Sequence, residues 1–463
     1  MSLEQNNLSI LSLERDGQLL LVNTRYPRPI IIRKGIDYVK SFLENPVKEK
    51  DVNLYNYLVD HRIVTVNSNV PAMVEDFDCL EKKSLALYLL VTQKCNLSCA
   101  YCLAGTKGYR QSKVMTRELA FLSLDKAASS IKFDGSLEVI FFGGEPLLNW
   151  TLIKECLIYI ESNLSNKHKD LKISFNMTSN MTLLPPDFIE LAKKYRISIL
   201  VDIDGPEKLH DSARYFTDGG PTYNKIAYNL ERLSEAEIPF QMRATIFSGN
   251  VASLSEIVKL HKEMGAVSSG LPILIPVNSD GEVISAALYP DLQLYAKGIK
   301  QILDEHVYEI FNLFPPNVYA ERILKGNIVQ HGCGIARGAV AVVTSSGDVY
   351  PCIYLVGKPE FHLGNVLHEA PFSQSRFSKR FREPYEYLIN TNNMEPCNTC
   401  SEQYLCGGGC PIRVLGFLNN TKSSDDAKQY FLKASCTTAK TSIHESLWYY
   451  ANKVMVDYDQ KNA

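Results

Sequence analysis

Charge of one sign is what this 463-residue sequence lacks most plainly, since 49 Lys and Arg stand against 51 Asp and Glu. A balance so even gives the chain no field with which to gather nucleic acid or an anionic membrane surface. Neither is expected as a partner, and specific small or peptide substrates are expected instead. No stretch supplies eighteen uninterrupted apolar residues, which argues against a membrane-spanning helix. Met1 to Asn7 is polar and lacks the basic-then-apolar order of a secretory signal, so the expected location is cytoplasmic. Tandem repeats and low-complexity tracts are missing, which excludes repeat architectures. Neither a nucleophile-and-base triad nor a carboxylate pair stands out, an absence that chemistry carried by a cofactor would explain.

Cysteine is abundant, with twelve residues, and apolar residues make up 45% of the chain, enough for two or three domains. In a reducing compartment such cysteines favour metal or redox chemistry over disulfides. The stretch Lys94 to Cys102 reads K-C-N-L-S-C-A-Y-C and sets Cys95, Cys99 and Cys102 on one short loop. Zinc takes four ligands and no fourth lies nearby. Three thiolates instead ligate three irons of a four-iron cubane and leave one iron for a small molecule. A second constellation holds Cys333, Gly347-Asp348-Val349-Tyr350-Pro351-Cys352, Cys397-x-x-Cys400, Cys406-Gly407-Gly408-Gly409-Cys410-Pro411 and Cys436. These seven thiols match neither one nor two four-cysteine zinc sites. Cys156, at helical spacing with Leu152, Ile153, Tyr159 and Ile160, reads as a buried structural thiol, whereas Cys79 is open between ligand and no role.

Residues 1–78 read as a self-contained unit: strands at Leu8–Leu13 and Leu19–Val22 around Asp16-Gly17, helices over Ile36–Leu43 and Leu54–Val59, and a returning strand at Ile63–Val66. Residues 79–290 alternate apolar strands with amphipathic helices, the rhythm of a parallel barrel. The expected strands are Leu85–Val91, Leu137–Phe142, Lys172–Met177, Ile197–Ile203, Phe240–Ile246 and Pro272–Ile275. Residues 291–330 read as a bridge with a helix over Leu292–Phe311, and residues 331–463 as a cysteine-rich domain with a last helix over Thr441–Val456. Gly143-Gly144-Glu145-Pro146 follows one strand, where glycine allows close backbone approach to a ligand. Thr178, Ser179 and Asn180 end the next strand with side chains suited to a ribose or carboxylate. Arg243 offers a guanidinium fork either to a cofactor carboxylate or to an ordinary ion pair. These positions fall at strand C-terminal ends, where barrel sites lie. His331 and His362 receive no role, and Tyr101 and Tyr350 read as packing groups.

With its CxxxCxxC loop, the aromatic Tyr101 ahead of Cys102 and the GGEP turn, the chain resembles the radical SAM superfamily. Its second cysteine set resembles the SPASM extension, and together the likeness covers most of residues 84–440. The resemblance implies an α/β fold: a partial (β/α)6 TIM-like barrel, an N-terminal winged-helix-like α+β domain of the kind that holds a precursor's leader, and a C-terminal iron–sulfur domain. It implies S-adenosylmethionine (SAM) and three [4Fe-4S] clusters as cofactors. One cluster would sit on Cys95, Cys99 and Cys102, a distal one on Cys397, Cys400, Cys406 and Cys436, and a proximal one on Cys333, Cys352 and Cys410. The proximal set is one ligand short unless Cys79 completes it, and otherwise leaves an iron open to a substrate thiolate. Gly143, Gly144 and Glu145 would hold the SAM amino group. Asp202 through Arg214 follow the family's SxDGP…HD…R pattern, with Asp202 where the family often has Ser, which leaves a ribose contact by Asp202 open.

The activity implied is reductive cleavage of SAM to a 5′-deoxyadenosyl radical that oxidatively modifies a ribosomally made precursor peptide, by a thioether or carbon–carbon cross-link. Its partners would be that peptide with its leader and a reductase, flavodoxin or ferredoxin as electron donor. The alternatives are an anaerobic sulfatase-maturing enzyme, a peptide epimerase, or a non-enzymatic iron–sulfur electron carrier or SAM-binding regulator.

Overall fold

The computed structural model describes residues 9–64, 84–102, 113–275, 285–329, 333–385, 390–411 and 425–454. The chain begins with a hairpin of β1 (Ile10–Arg15) and β2 (Gln18–Asn23). Its turn residues Asp16 and Gly17 both have positive φ, 52° and 71°, the combination that matches the twist of a tight hairpin. A third strand, β3 (Tyr26–Ile32), is unexpected because Pro27 and Pro29 interrupt it. It lies at the sheet edge, where a missing N–H is tolerated. Helices α1 (Ile36–Glu44) and α2 (Val52–Asp60) cover one face, where Leu19, Leu21 and Ile30 meet Val39, Phe42 and Leu58. Asp51 caps α2 by accepting the Leu54 N–H at 2.9 Å. The returning strand is not formed at its first two residues: Ile63 and Val64 both donate N–H to Leu58 O. The rest of that segment, and Cys79, lie outside the described residues.

The central sheet runs β4 (Ser84–Thr92), β5 (Ser136–Gly143), β6 (Lys172–Ser179), β7 (Ser198–Asp202), β8 (Phe240–Arg243) and β9 (Ser268–Gly270), all parallel and paired in chain order. Helices α3 (Arg117–Ser129), α4 (Trp150–Tyr159), α5 (Phe188–Tyr195), α6 (Glu207–Ala213), α7 (Tyr223–Glu235) and α8 (Leu254–Glu263) lie in the crossovers. Five strands stand where the apolar runs put them. The sixth is displaced: its ladder is the weakly apolar Ser268–Gly270, and the expected Pro272–Ile275 keeps a single bridge, Ile246 to Ile273, while it lines a cavity.

Helix α9 (Leu292–Asp304) is shorter than expected and leads to β10 (Leu313–Phe314), which pairs with β9, and to α10 (Pro316–Lys325). The cysteine-rich region adds β11 (Val340–Val343) parallel to β4, then antiparallel β12 (Asp348–Tyr350) and β13 (Gly364–Asn365), making ten strands in one sheet. The barrel therefore stays open, and the free edge of β4 is satisfied by the cysteine-rich region rather than by β9. The last helix, α11 (Asp425–Val454), begins sixteen residues earlier than expected because its first turns are polar. No helix among the described residues is long and apolar enough to cross a membrane.

The second face of the N-terminal sheet, with Leu11, Leu20, Val22 and Ile31, packs on Tyr319, Ile323, Ile443, Leu447 and Trp448. Arg15 pairs with both carboxylate oxygens of Glu445 and stands 5.1 Å from the Trp448 ring centroid. Trp448→Ala is expected to cost about 3 kcal/mol and to release this sheet first. Early loss of amide-exchange protection at Leu20 to Val22 during urea unfolding checks it.

Candidate active site

The cysteine loop is pinned from both sides. Thr92 O and Lys94 O accept the N–H groups of Gly144 and Glu145, each at 2.9 Å. A Cβ on Gly143 would stand 1.9 Å from Thr92 O, and one on Gly144 2.2 Å from Lys94 O. Glycine is thus required for the approach of β5 to the loop, beyond the ligand access expected of it. On the other side Ser98 and Ala100 donate N–H to Tyr215 O and Ala213 O at 2.9 and 2.8 Å, and Thr217 donates to Asn96 O at 3.1 Å. Asn180 Nδ2 donates to Asn96 Oδ1 at 2.9 Å, latching the loop to the end of β6. Leu97 N–H lies 3.4 Å from Cys95 Sγ and Asn180 Nδ2 lies 3.9 Å from it, donors suited to a thiolate.

Cys95, Cys99 and Cys102 line one cavity of about 430 Å³ together with Gly143, Gly144, Thr178, Ser179, Asn180, Asp202 and Arg243. Glu145 does not line it. Its fully buried carboxylate accepts from Leu147 N at 3.0 Å, Ser179 Oγ at 2.8 Å and Asn180 N at 2.7 Å. Burial pushes its pKa up to about 7, against those donors. Glu145 therefore ties the ends of β5 and β6 together. A groove of about 640 Å³ beside α8 and α9 contains none of the candidate residues.

Beneath the loop lies a buried polar network. Arg214 donates from Nη1 to Tyr101 Oη at 3.1 Å and from Nη2 to Asp202 Oδ2 at 3.4 Å, and its Nε is buried without a partner. Tyr101 donates to Asp204 in turn. Arg243 grips Asp202 from Nε at 2.6 Å and from Nη2 at 3.1 Å. The fork expected for a cofactor carboxylate is thus filled along one edge by Asp202. Burial pushes Asp202 up, but the two guanidiniums hold its carboxyl below the usual range. Burial outweighs Arg214 at Asp204, which rises to about 6, and at Cys99, which rises to about 12. His210 and Asp211 serve this architecture: His210 Nδ1 accepts the Asp204 N–H at 3.2 Å, and Asp211 accepts the N–H groups of Thr222 and Tyr223. Burial depresses His210 to about 3, so it is neutral there.

Cys333, Cys352 and Cys410 gather at the margin of the main core, where burial and then the neighbouring thiols raise Cys352. Ile353 and Tyr354, which follow Cys352, reach the same cavity as the first cysteine loop, as does Tyr88 from β4. Sequence reasoning missed these two tyrosines, and it missed Arg214 as a cavity cation, although the HD…R spacing signalled that residue. Among the distal set, Cys400 Sγ donates to Glu402 Oε2 at 3.2 Å, and Lys440 lies in the field of Glu402, Cys400 and Cys436. Cys406 borders the cluster formed by Tyr319 and Leu405. Cys156 is wholly buried in the core, as expected of a structural thiol. None of the described cysteines is in a disulfide, and among the described residues no three His, Cys, Asp or Glu side chains converge as a single metal ion requires.

Residues 89–263 match the radical SAM superfamily and residues 333–401 the SPASM iron–sulfur cluster-binding domain. The chain is a radical SAM protein with a SPASM extension. SAM binding and iron–sulfur clusters come with those two domains. The radical SAM/SPASM chain is 24% identical over 327 residues to a cysteine-type anaerobic sulfatase-maturating enzyme of Clostridium perfringens, covering 68% of this chain and 85% of that one. It is 26% identical over 369 residues to an AdoMet-dependent heme synthase of Nitratidesulfovibrio vulgaris, covering 73% and 90%. Its fold is similar to that of Streptococcus suis SuiB bound to precursor peptide SuiA, with a TM-score of 0.55 at 15% identity, covering 91% and 99%.

Two outcomes follow from this radical SAM site. Gly144→Ala is expected to displace the cysteine loop, with loss of iron and of the reduced-cluster EPR signal from that loop while the SPASM iron is kept. For Glu145, the raised folded pKa means that the folded state keeps a proton that the unfolded chain releases near pH 4.5. Its contribution to stability is therefore fully present below about 4.5 and lost as pH rises toward 7. Glu145→Gln is expected to flatten that part of the stability profile, measured by urea titration at several pH values.

Proposed function

We propose that this protein is a peptide maturase that uses SAM and three [4Fe-4S] clusters to cross-link a ribosomally made precursor, forming a thioether or carbon–carbon bond. The observation that carries this reading is a single cavity lined both by Cys95, Cys99 and Cys102 and by the Ile353-Tyr354 segment beside Cys352. When bound, the cofactors would supply hydrogen-abstracting radical chemistry and an acceptor for the product's electron.

The side chains then bind, orient and exclude water. Cys95, Cys99 and Cys102 would hold the first cluster, Cys397, Cys400, Cys406 and Cys436 the distal one, and Cys333, Cys352 and Cys410 the proximal one. Gly143 and Gly144 would face the SAM amino group, and Thr178, Ser179 and Asn180 its polar ribose or carboxylate atoms. Arg214 suits the SAM carboxylate better than Arg243 does, because its Nε is buried without a partner and it lies in the field of Cys99. Leu97, Phe142, Pro272 and Leu274 supply apolar walls that keep water from the reacting carbon. The three-stranded N-terminal sheet would hold the leader, a reading supported by similarity across most of the chain to SuiB bound to its precursor peptide. Cytoplasmic, oxygen-poor surroundings and a flavodoxin or ferredoxin donor complete the reading. Formylglycine formation is the second reading, favoured by the similarity to the sulfatase-maturating enzyme.

Co-production, without oxygen, with a candidate short precursor peptide encoded beside the gene is expected to yield peptide lighter by two hydrogens per event. The same peptide is expected unchanged with the Cys95→Ala, Cys99→Ala, Cys102→Ala variant. The wild type is expected to carry roughly twelve irons, as three four-iron clusters require. An unchanged peptide mass with wild type counts against cross-linking.

A further inference from the structure

The cavity contains two guanidiniums with different surroundings. Arg214 has 8% of its side chain exposed and lies in the field of Tyr101, Cys99, Asp202 and Asp204, on the side of the first cysteine loop. Arg243 keeps 33% of its side chain exposed. It shares its field with Tyr354 and Tyr88, both of which also feel Cys352, so it stands toward the SPASM side.

Arg243 and Asp202 are in register on neighbouring strands, β8 and β7. The side-on edge of the guanidinium, Nε and Nη2, is spent on Asp202. Its end-on edge, which carries Nη1, makes no ion pair or hydrogen bond among the described residues, and Arg243 lines the cavity together with Tyr88, Ile353 and Tyr354. Asp202 is shared between two guanidiniums, and Asp204 is tied to Tyr101, so contact by contact the cations outnumber the carboxylates that neutralise them. A guanidinium edge fixed in position and walled by phenol and aliphatic groups matches a planar oxygen anion. Asp202 is also the position at which the sequence departs from the Ser of the SxDGP pattern, and the departure supplies the group that fixes Arg243.

We propose that the end-on edge of Arg243 recognises a carboxylate on the peptide substrate, near the residue being modified, and that Asp202 is the positioning residue that aims it. This rests on the peptide-maturase reading. The carboxylate has two sources, an Asp or Glu side chain and the peptide C-terminus, and the test separates them.

The experiment is a double-mutant cycle on the holoenzyme with the candidate short precursor peptide encoded beside the gene. One axis is Arg243→Gln, with Arg243→Lys as the charge-keeping control. The other replaces each acidic residue near the modified position by its amide, with a C-terminally amidated peptide as a separate arm. Modification of the unaltered peptide by wild type tests the maturase reading by itself, so its failure is distinguishable from failure of the carboxylate site. Arg243→Gln is expected to raise the peptide KM roughly ten- to a hundredfold, with SAM affinity by equilibrium dialysis within twofold of wild type and the SAM-bound cluster EPR signal intact. One peptide change is expected to cost the same, with no further loss when the two are combined, and Arg243→Lys is expected to recover part of the loss. Asp202→Asn is expected to raise the peptide KM in the wild-type background and to raise it no further in the Arg243→Gln background, a coupling that a merely structural role would not give, whereas loss of SAM affinity with the peptide KM unchanged would overturn its positioning role. Losses that multiply, or an Arg243→Gln enzyme that loses SAM affinity with its peptide KM unchanged, would overturn the proposal.

Discussion

Thr92 O and Lys94 O determine where the first cysteine loop can go, because each accepts a backbone N–H from the end of the neighbouring strand. That approach is possible only with glycine at 143 and 144, where any Cβ would fall on the carbonyls of Thr92 and Lys94. The loop then has a fixed floor on the β5 side and a backbone-paired wall in Ala213 to Thr217. Three cysteines spaced over eight residues acquire a fixed presentation without a metal having to gather them. Glu145 extends the constraint to β6 by holding Ser179 and Asn180, so three consecutive strand ends are locked together.

The electrostatics under the loop follow from the same packing. A buried arginine, Arg214, and two buried aspartates, with the half-buried Arg243 beside them, cost several kcal/mol of desolvation for each buried charge, offset only by well-made hydrogen bonds. Both aspartates are engaged, Asp202 by the two guanidiniums and Asp204 by Tyr101, whereas Arg214 Nε is buried without a partner. An unspent buried donor beside a cluster cysteine is costly in the free protein and becomes favourable once an anion arrives. The cavity is in this sense built for a charged ligand, and the SPASM segment at Ile353 and Tyr354 closes its far side.

Much of this was legible in the sequence because the signals were local. Five barrel strands were apolar runs of ordinary length, and both cysteine sets declared themselves by spacing. What was hidden depended on partners distant in the chain. β3 was masked by its two prolines, which the sequence cannot assign to an edge. β11 was too short to announce that it would continue the barrel sheet from the edge of β4. Glu145 read as a ligand contact because sequence cannot tell a side chain aimed at a cavity from one aimed at the next strand. Arg243 was recognised as a fork, yet only the register of β7 and β8 reveals that Asp202 occupies its side-on edge.

In the proposed function the cavity brings a peptide C–H bond to the carbon generated from SAM at the first cysteine site. The most direct test is to incubate the reconstituted enzyme, SAM and reductant with precursor peptide deuterated at all its carbon-bound positions, backbone Cα included, and to weigh the 5′-deoxyadenosine formed. One deuterium per molecule of 5′-deoxyadenosine is expected, transferred from one residue of the peptide. Undeuterated 5′-deoxyadenosine alongside modified peptide would contradict the proposed function.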